Sequence, residues 1–469
     1  MLAKNPAHKI PDWHAHRLVN WTLWRAKDDK TKRVMDKNNN QIGWFLGEGV
    51  AKSGAYVGDP YILPYDMADP KNWQQAELEI EGIAGRYVVI IDAPEIQRVY
   101  GDPVGDFSTV YNKDEAIVAS TTLLALTREI EWNPLFDRMR ILSGEMHFSL
   151  QETPDVALKR ALPNHYLCLN TFECVRHWPR ADTRLFRPQI SMEENLDEVS
   201  QRLSDIVGAL ARSQKVILPL SGGYDSRNIV GAAKEHLKHL QFSFSHQFHK
   251  MSRIDADIAA IISKRVGVPF KLIAFDASMK HSHDDRMRYF NRTGYADGGI
   301  AVRITRLEQA VPGNMLSLRG NVMELLRANQ WSGRFASSEK PVTHFGIKRL
   351  LIDRAAPLFD VVDQWGEKYE AWRDTLPESA MRRSIDLAFA EHLLPNTLGV
   401  RHFGNVNNFV MNPFSDRRIM QLCMQIPPTV RKANIPNQYL LKRNCGHLSD
   451  IPFQRSVASD GTLLDKLAG

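Results

Sequence analysis

The chain has 469 residues, of which 43% are hydrophobic and 24% charged, as in an ordinary globular protein of two or three domains. No apolar run reaches the roughly 18 residues of a membrane span, and the first residues lack the apolar core of a secretory signal. We therefore expect a cytoplasmic protein without membrane association.

Basic residues slightly outnumber acidic ones, 60 against 54, which gives a net charge of +6. They are scattered along the chain rather than clustered. This pattern weakly favours phosphate-bearing or acidic partners and gives little support for a nucleic acid partner.

The first part of the chain, residues 1–188, is predicted to be a β-rich domain. Apolar runs bounded by Gly, Pro and Asp predict strands at 41–47, 85–92, 108–111 and 115–119. Trp21, Trp24 and Trp44 are interpreted as packing residues of these sheets. A short connector with a proline, residues 185–188, ends the domain.

The four cysteines show neither a Cys-x-x-Cys pair nor a zinc-ligand spacing; they are Cys168, Cys174, Cys423 and Cys445. Cys168 and Cys174 are near enough in the chain for a disulfide to be considered. A reduced pair is the prediction for a cytosolic protein.

The second part, residues 192–469, is predicted to be an α/β domain. It opens with apolar residues at helical spacing from Leu196 to Leu210. Strands at 216–220, 242–244 and 270–274 then alternate with helices, one reaching about residue 240 and one at 255–266. Such βαβ units predict a parallel sheet with a nucleotide at its carboxyl edge, and the pattern turns mostly helical after residue 284.

A glycine turn follows the first of these strands, where a helix begins. It runs Leu220, Ser221, Gly222, Gly223, Tyr224, Asp225, Ser226, Arg227. Two glycines allow close backbone approach, the helix N-terminus attracts an anion, and Asp225 can hold Mg²⁺ beside phosphates. The order Ser-Gly-Gly-x-Asp-Ser resembles the pyrophosphate-binding loop of ATP-pyrophosphatase (PP-loop) enzymes, which release pyrophosphate from ATP and form AMP.

A wider resemblance covers nearly the whole chain in patches. Gly85-Arg86-Tyr87 and its strand, Gly101-Asp102-Pro103-Val104-Gly105, Val110-Tyr111 and Val118-Ala119-Ser120 follow the order seen in glutaminase domains of asparagine synthetases. Late matches include Asn412 to Arg418, Pro427-Pro428 and Gln438 to Lys442. The chain thus resembles asparagine synthetase-like proteins, with an N-terminal α+β sandwich and a Rossmann-like PP-loop domain whose C-terminal part is helical.

The chain departs from this family where ammonia would be produced. Such glutaminases use a cysteine directly after the initiator methionine, whereas position 2 is Leu2 and no cysteine precedes Cys168. We expect a degenerate glutaminase-like domain. The pattern resembles β-lactam synthetases, carbapenam synthetases and lasso peptide cyclases, in which the substrate itself supplies the amine.

The second phosphate-side loop also departs from the family pattern. Ser317, Arg319, Gly320, Glu324 and Arg327 stand in the matching stretch. Met323 replaces the family's metal-binding aspartate, while Glu324 matches the glutamate beside it. Three readings stay open: the arginines stabilise pyrophosphate, they bind an anionic substrate, or they pair with acidic side chains at the surface.

Other candidates lie near the tail and after the second strand. The resemblance implies a catalytic lysine in the tail that stabilises developing charge; Arg455 is the nearest basic residue there, and Lys442 is the alternative. Two interpretations stay open for Asp255 and Asp257: they face a metal ion or the substrate, or their carboxylates are favoured by the dipole at the start of a helix. Residues 281–285 look like a metal cluster but lack its spacing, so a solvated polar turn is predicted.

Three functions follow from these residues. The first is a ligase that uses ATP and Mg²⁺ to adenylate a small-molecule or peptide carboxylate, then passes it to an amine donor other than glutamine. The product would be a tailored peptide, another secondary metabolite or an amidated polysaccharide. The others are a different PP-loop chemistry, such as tRNA modification, and a catalytically altered nucleotide-binding partner in a biosynthetic complex. A partner protein, a leader peptide and a homodimer stay open.

Overall fold

The computed structural model describes residues 1–4, 13–26, 29–136, 148–187, 191–274, 282–284, 307, 309–331, 336–337, 362–399, 402–403 and 407–459. They form an α/β protein with three sheets, as the sequence predicts. Strands before residue 177 build two largely antiparallel sheets, and strands after residue 215 build one parallel sheet.

The N-terminal part consists of thirteen described strands and one helix. The strands are β1 Leu2–Ala3, β2 His14–Arg17, β3 Thr22–Arg25, β4 Thr31–Met35, β5 Gln41–Val50, β6 Tyr61–Ile62, β7 Ala84–Asp92, β8 Gln97–Gly101, β9 Val110–Asn112, β10 Ile117–Ala119, β11 Lys159–Arg160, β12 His165–Cys168 and β13 Cys174–Arg176. Helix α1 spans Trp73–Glu81, after a 3₁₀ turn at Pro70–Asn72; another 3₁₀ turn lies at Leu123–Ala125. The sheet orders are β11-β9-β10-β1-β3-β2 and β13-β12-β8-β7-β5-β4-β6.

Strand β7 shows why these sheets stack. Its nine residues are all buried, and successive side chains point to opposite faces. Val88 and Ile90 join the core between the two sheets, whereas Val89 and Ile91 pack in the core that includes α1. The predicted strands at 41–47 and 85–92 are confirmed and slightly longer, while those at 108–111 and 115–119 become β9 and β10 around a turn.

The tryptophans and cysteines of this part behave as predicted. Trp21, Trp24 and Trp44 are buried among the sheet side chains. Both Cys168 and Cys174 are free thiols. Since Leu167 pairs with Cys174 across the hairpin, Cys168 points to the opposite face of the sheet and cannot reach its neighbour.

The second part alternates helices and strands and then becomes helical. Its elements are α2 Met192–Ser213, β14 Val216–Pro219, α3 Tyr224–Ala232, β15 Leu240–Gln247, α4 Lys250–Val266, β16 Phe270–Ala274, β17 Leu316–Leu318, α5 Val362–Arg373, α6 Glu378–Met381, α7 Ser384–Ala388, β18 Phe409–Met411, α8 Arg417–Gln425, α9 Pro428–Lys432, α10 Ile435–Cys445 and α11 Gln454–Ser459. Tighter 3₁₀ turns lie at Lys234–His239, Met323–Arg327 and Gly446–Leu448, and π-helical turns at Phe389–Leu393 and Pro395–Gly399. The parallel sheet has the order β16-β15-β14-β17-β18.

Two predicted helix bounds are wrong, for local reasons. The helix predicted to reach residue 240 ends at Ala232 and continues as a 3₁₀ turn. Helix α4 begins at Lys250 rather than 255, because the His249 side chain accepts from the Ser252 amide while Ser252 caps the His249 backbone. The predicted helix from residue 192 is confirmed, with Leu196 to Leu210 on its buried face.

Buried polar contacts join the two parts. The Arg417 guanidinium donates to Asn164 Oδ1 at 2.9 Å and to the Gly101 carbonyl at 3.0 Å. Asp106 binds the His402 ring and accepts from Asn412 Nδ2 at 2.6 Å. Within the described residues, no helix is long and apolar enough to cross a membrane.

Candidate active site

The candidate site lies where the strand order of the parallel sheet reverses. Strand β14 has β15, the next strand in sequence, on one side and β17 on the other. In open parallel sheets such a switch point leaves a crevice at the carboxyl ends of the strands. The glycine turn leaves β14 at this end, and residues 319–322 leave β17 beside it.

Hydroxyl groups hold the turn in shape. The Ser221 amide donates to Ser226 Oγ at 3.1 Å, and the two hydroxyls lie 3.1 Å apart. The Gly223 amide donates to Ser221 Oγ at 3.3 Å. Leu220 is buried, and its carbonyl accepts from Ser245 Oγ at 2.5 Å. The two serines thus fix the conformation of the loop, and Leu220 contributes to it through its backbone carbonyl.

Helix α3 begins at this turn without a side-chain cap. Gly223 is its N-cap residue and offers no side-chain acceptor to the amides of the first helical turn. Such amides have no partner within a helix, and the dipole places positive potential there. An anion is therefore the natural partner for the backbone of Tyr224 to Ser226.

Asp225 is paired with Arg327, which the sequence alone did not indicate. Arg327 Nη2 donates to Asp225 Oδ2 at 2.8 Å and lies 3.8 Å from Glu324 Oε1. Burial raises the pKa of Asp225 to about 6, although Arg327 opposes this shift. One oxygen of each carboxylate, Asp225 Oδ1 and Glu324 Oε2, is buried without a hydrogen-bond partner.

Gly320 brings the second loop against the first. A Cβ atom built on Gly320 would stand 2.8 Å from Asp225 Cβ and 2.9 Å from its carbonyl carbon, so any larger residue would displace the start of α3. Ser317 is completely buried inside β17, so its side chain is not placed to touch a ligand.

The backbone of the second loop is strained where it turns into Met323–Arg327. Val322 has φ 73° and Ala328 has φ 45°, a left-handed conformation that is costly for a β-branched residue. The Arg319 amide donates to the Met411 carbonyl at 2.9 Å, which joins the start of this loop to β18.

Asp255 braces the turn from behind. Its Oδ1 accepts from the Gly222 amide at 2.9 Å, and its Oδ2 accepts from Gln454 Nε2 at 2.6 Å. Burial raises its pKa. The prediction that Asp255 and Asp257 open a helix is wrong, because α4 begins five residues earlier; Asp257 is exposed and pairs with Arg253 at 3.0 Å.

Arg227 ties the turn to the C-terminal tail. Its buried guanidinium donates to the carbonyls of Ile451 and Pro452 at 2.7 and 2.5 Å, and lies 4.1 Å from the centre of the Phe453 ring. The other face of that ring stacks on Tyr224, with centroids 4.1 Å apart. Since Arg227 has no exposed surface, its side chain supports the loop rather than touching a ligand.

The remaining predicted residues lie at the surface. Arg455 in α11 and Lys442 in α10 are both exposed, and none of the described hydrogen bonds or ion pairs joins either to the loops. Among residues 281–285, the structure describes 282–284, which are exposed; the other two lie outside the described residues. No cluster of three metal-binding side chains occurs in the described part of the chain.

The donor set at the turn fits a nucleotide with Mg²⁺. This ion takes one or two carboxylates and leaves its other positions to phosphates and water. Asp225 and Glu324 provide two buried carboxylate oxygens beside an open helix N-terminus. Arg327 already supplies one positive charge at the same place.

Phe453 and Gln454 are the site residues that sequence reasoning missed. They lie more than 200 positions from the turn, and no local pattern in the sequence marks them as its neighbours. The fold and site define an α/β protein with a serine-fixed glycine turn at the switch point of its parallel sheet. The chain matches no protein-family model and no curated protein, so the resemblance rests on its own motifs.

Proposed function

We propose that this protein is an ATP-dependent amide-bond ligase that releases AMP and pyrophosphate. The observation that supports it is the serine-fixed turn at the switch point, with an uncapped helix N-terminus facing Asp225, Glu324 and Arg327. Mg²⁺, when bound by the two carboxylates, supplies charge neutralisation for the phosphates.

The residues of the chain have distinct tasks in this reaction. The amides of Tyr224 to Ser226 bind phosphate oxygens, and Arg327 turns from Asp225 to the leaving pyrophosphate. A substrate carboxylate attacks the α-phosphorus, the bond to the β-phosphate oxygen breaks, and an acyl-adenylate forms. An amine then attacks the acyl carbon and expels AMP, after losing its proton to solvent or a base.

The amine donor is not glutamine in this proposal. Leu2 occupies the position where the asparagine synthetase-like resemblance requires a cysteine, and it is buried in β1. The amine therefore comes from free ammonia, from a second substrate or from the adenylated molecule itself. We propose peptide, secondary-metabolite or polysaccharide tailoring in the cytoplasm as its setting.

The test is pyrophosphate and AMP release from ATP and Mg²⁺ across a panel of carboxylates. Asp225→Asn should lose substrate-dependent release, whereas Asp257→Asn, an exposed aspartate 41% accessible at its side chain, should keep it. Release of ADP and phosphate instead would refute the PP-loop chemistry. Unchanged activity in Asp225→Asn would show that the glycine turn is not part of the active site.

A second candidate is a nucleotide-binding partner without turnover. The observation that favours it is the Arg327 ion pair, which occupies one oxygen of the aspartate that would bind the metal. Tight binding of ATP with no pyrophosphate formed on any carboxylate would identify this case. Arg327→Gln should then strengthen Mg²⁺-dependent binding, because it frees Asp225.

A further inference from the structure

The 3₁₀ turn Met323–Arg327 carries two of the three charged side chains that meet at the proposed nucleotide site. Glu324 and Arg327 are three residues apart, and side chains at this spacing project from the same face of a 3₁₀ turn. Arg327 Nη2 lies 2.8 Å from Asp225 Oδ2 and 3.8 Å from Glu324 Oε1. The apolar residues of the turn are buried in the core: Met323, Leu325 and Leu326. The direction of the two charged side chains therefore depends on how the backbone of this turn is held.

The backbone is strained at both ends of the turn. Val322, directly before it, has φ 73°, and Ala328, directly after it, has φ 45°. Residues other than glycine keep such left-handed conformations only where the surrounding structure fixes them. The turn would relax towards an unstrained backbone unless contacts at its centre held it in place.

Arg431 of α9 makes such a contact. Its Nη1 donates to the carbonyl of Leu325, the central residue of the turn, at 2.7 Å. The Asp386 carboxylate of α7 accepts from Nη1 at 2.9 Å and from Nη2 at 2.7 Å, and the Ile426 carbonyl accepts from Nε at 3.0 Å. Arg431 has no exposed surface, and Asp386 is 2% exposed. The ion pair is therefore placed to act through the backbone that it binds and not by touching a ligand.

The geometry of this pair depends on the shape of the arginine side chain. Two hydrogen bonds to one carboxylate fix the plane of the guanidinium. Because Nη1 bonds both Asp386 and the Leu325 carbonyl, the position of the carbonyl is tied to that of the carboxylate. A lysine ammonium is a point charge on a flexible chain and does not reproduce this planar arrangement.

We propose that Arg431 and Asp386 are positioning residues of the ligase reaction. By fixing the Leu325 carbonyl, they hold the strained turn so that Glu324 and Arg327 face the start of α3, where the phosphates and Mg²⁺ bind. This role depends on the proposed function. Loss of the pair leaves the glycine turn in place but lets the two charged side chains move out of alignment.

Arg431→Lys tests this role against Arg176→Lys, a matched change in the contact between the two parts. Arg176 also binds one carboxylate twice, that of Glu391 at 2.8 and 2.9 Å, and donates to the Trp178 carbonyl at 3.0 Å. Both variants should lose thermal stability. By calorimetric titration with Mg²⁺, the dissociation constant of α,β-methylene-ATP should rise at least about tenfold in Arg431→Lys and less than about threefold in Arg176→Lys. Equal affinities in the two variants would overturn the proposal.

A mutant cycle shows whether Arg431 acts through the turn. In a background that lacks both charged side chains, Glu324→Gln with Arg327→Gln, adding Arg431→Lys should weaken nucleotide binding less than about threefold, because no aligned charge remains to be lost. A general effect on the fold would weaken binding by the same factor in either background. That result would count against a positioning role.

Two further variants cover the case in which Arg431→Lys does not fold. Ala328→Gly removes the strain after the turn, and Ala116→Gly does the same at φ 50° between β9 and β10. Ala328→Gly gives the turn more freedom, so it should weaken nucleotide binding about two- to fivefold without lowering the melting temperature. Ala116→Gly should bind as the wild type does. Equal binding in the two glycine variants would contradict a turn that is held in position.

The same titrations distinguish this role from the proposed function. If the wild type does not bind the nucleotide, or Asp225→Asn binds it as the wild type does, the nucleotide site is wrong and both proposals fail. If Asp225→Asn loses binding while Arg431→Lys and Arg176→Lys bind alike, only the positioning role fails.

Discussion

Asp225 is buried at a position that disfavours its charged form. Burial raises its pKa to about 6 even though Arg327 lies 2.8 Å away. The folded protein therefore binds a proton there more tightly than the unfolded chain does, between about pH 4 and 6. Stability from this group is present below that window and is lost as the pH rises through it.

Removing this charge should stabilise the free protein. We expect Asp225→Asn, without nucleotide or Mg²⁺, to raise the free energy of unfolding at pH 7.5 by about 1–3 kcal/mol. The gain should shrink at pH 4, where the wild-type carboxyl is protonated. Urea denaturation at both pH values measures it.

Asp257→Asn provides the matched control, since Asp257 is exposed and pairs only with Arg253 in the described contacts. Its effect should stay within about 0.5 kcal/mol at both pH values. A loss of stability in Asp225→Asn of the same size at pH 4 and 7.5 would show that the Arg327 pair outweighs the burial of the charge.

At this scale the sequence was informative where residues are neighbours in the chain. Ser221, Gly223 and Ser226 meet because they share one turn, and that turn follows a recognisable strand. The pairing of Asp225 with Arg327 spans 102 positions. It depends on how closely Gly320 lets β17 approach α3, which no local pattern encodes.

At the scale of elements, the C-terminal tail packs against the glycine turn and supports it. The Phe453 ring lies between the Tyr224 ring and the Arg227 guanidinium, each 4.1 Å away. Gln454 completes the contact through Asp255, which holds the Gly222 amide. The segment from Ile451 to Gln454 thus fixes both ends of the turn.

We expect Phe453→Leu to weaken nucleotide binding because the turn loses its stacked support. The dissociation constant of α,β-methylene-ATP should rise about 10–100-fold, equivalent to roughly 1.4–2.8 kcal/mol, by calorimetric titration. Phe453→Tyr keeps the ring and should restore binding.

Phe270→Leu is the control, since Phe270 is a half-buried phenylalanine at the start of β16, the edge strand of the sheet. It should lose a comparable amount of thermal stability and bind the nucleotide as the wild type does. Equal weakening in both variants would mean that binding follows general stability rather than the tail contact.

The alternation of strands and helices made the parallel sheet predictable, since the apolar runs and glycine turns are local. Element ends were less predictable. The start of α4 depends on the reciprocal His249–Ser252 contact, in which a histidine takes the capping role usually filled by Ser, Thr, Asp or Asn. Docking of the tail on α3 was not predictable, because its contacts join residues more than 200 positions apart.

At the scale of the whole molecule, a buried glutamate links the two parts. Arg176 of β13 binds Glu391 with two hydrogen bonds of 2.8 and 2.9 Å, and Trp372 Nε1 and Asn164 Nδ2 also donate to it. Burial alone would raise the pKa of Glu391, but the Arg176 guanidinium lowers it to about 2. This depressed value means that the carboxylate stabilises the fold above about pH 4.5.

Glu391→Gln should lower the free energy of unfolding by about 2–4 kcal/mol at pH 7, because it leaves Arg176 buried without its counter-charge. The difference from the wild type should fall as the pH drops from about 4.5 towards 2, where the wild-type carboxyl takes up its proton. Denaturant titrations at pH 7 and pH 3 measure it.

Glu198→Gln serves for comparison, because Glu198 forms an exposed ion pair with Arg418. It should change stability by less than about 1 kcal/mol at either pH. A Glu391→Gln effect that does not change between pH 7 and pH 3 would show that the carboxylate charge is not what joins the two parts.

The docked tail also sets an order of events during synthesis. Arg227 and Ile451 are 224 residues apart, so about 10–50 s separate their appearance at roughly 5–20 residues per second. Until Ile451 to Gln454 emerge, the Arg227 guanidinium lacks the carbonyls that later enclose it. A nascent chain halted before that point carries the complete glycine motif but lacks the tail contacts of the proposed nucleotide site.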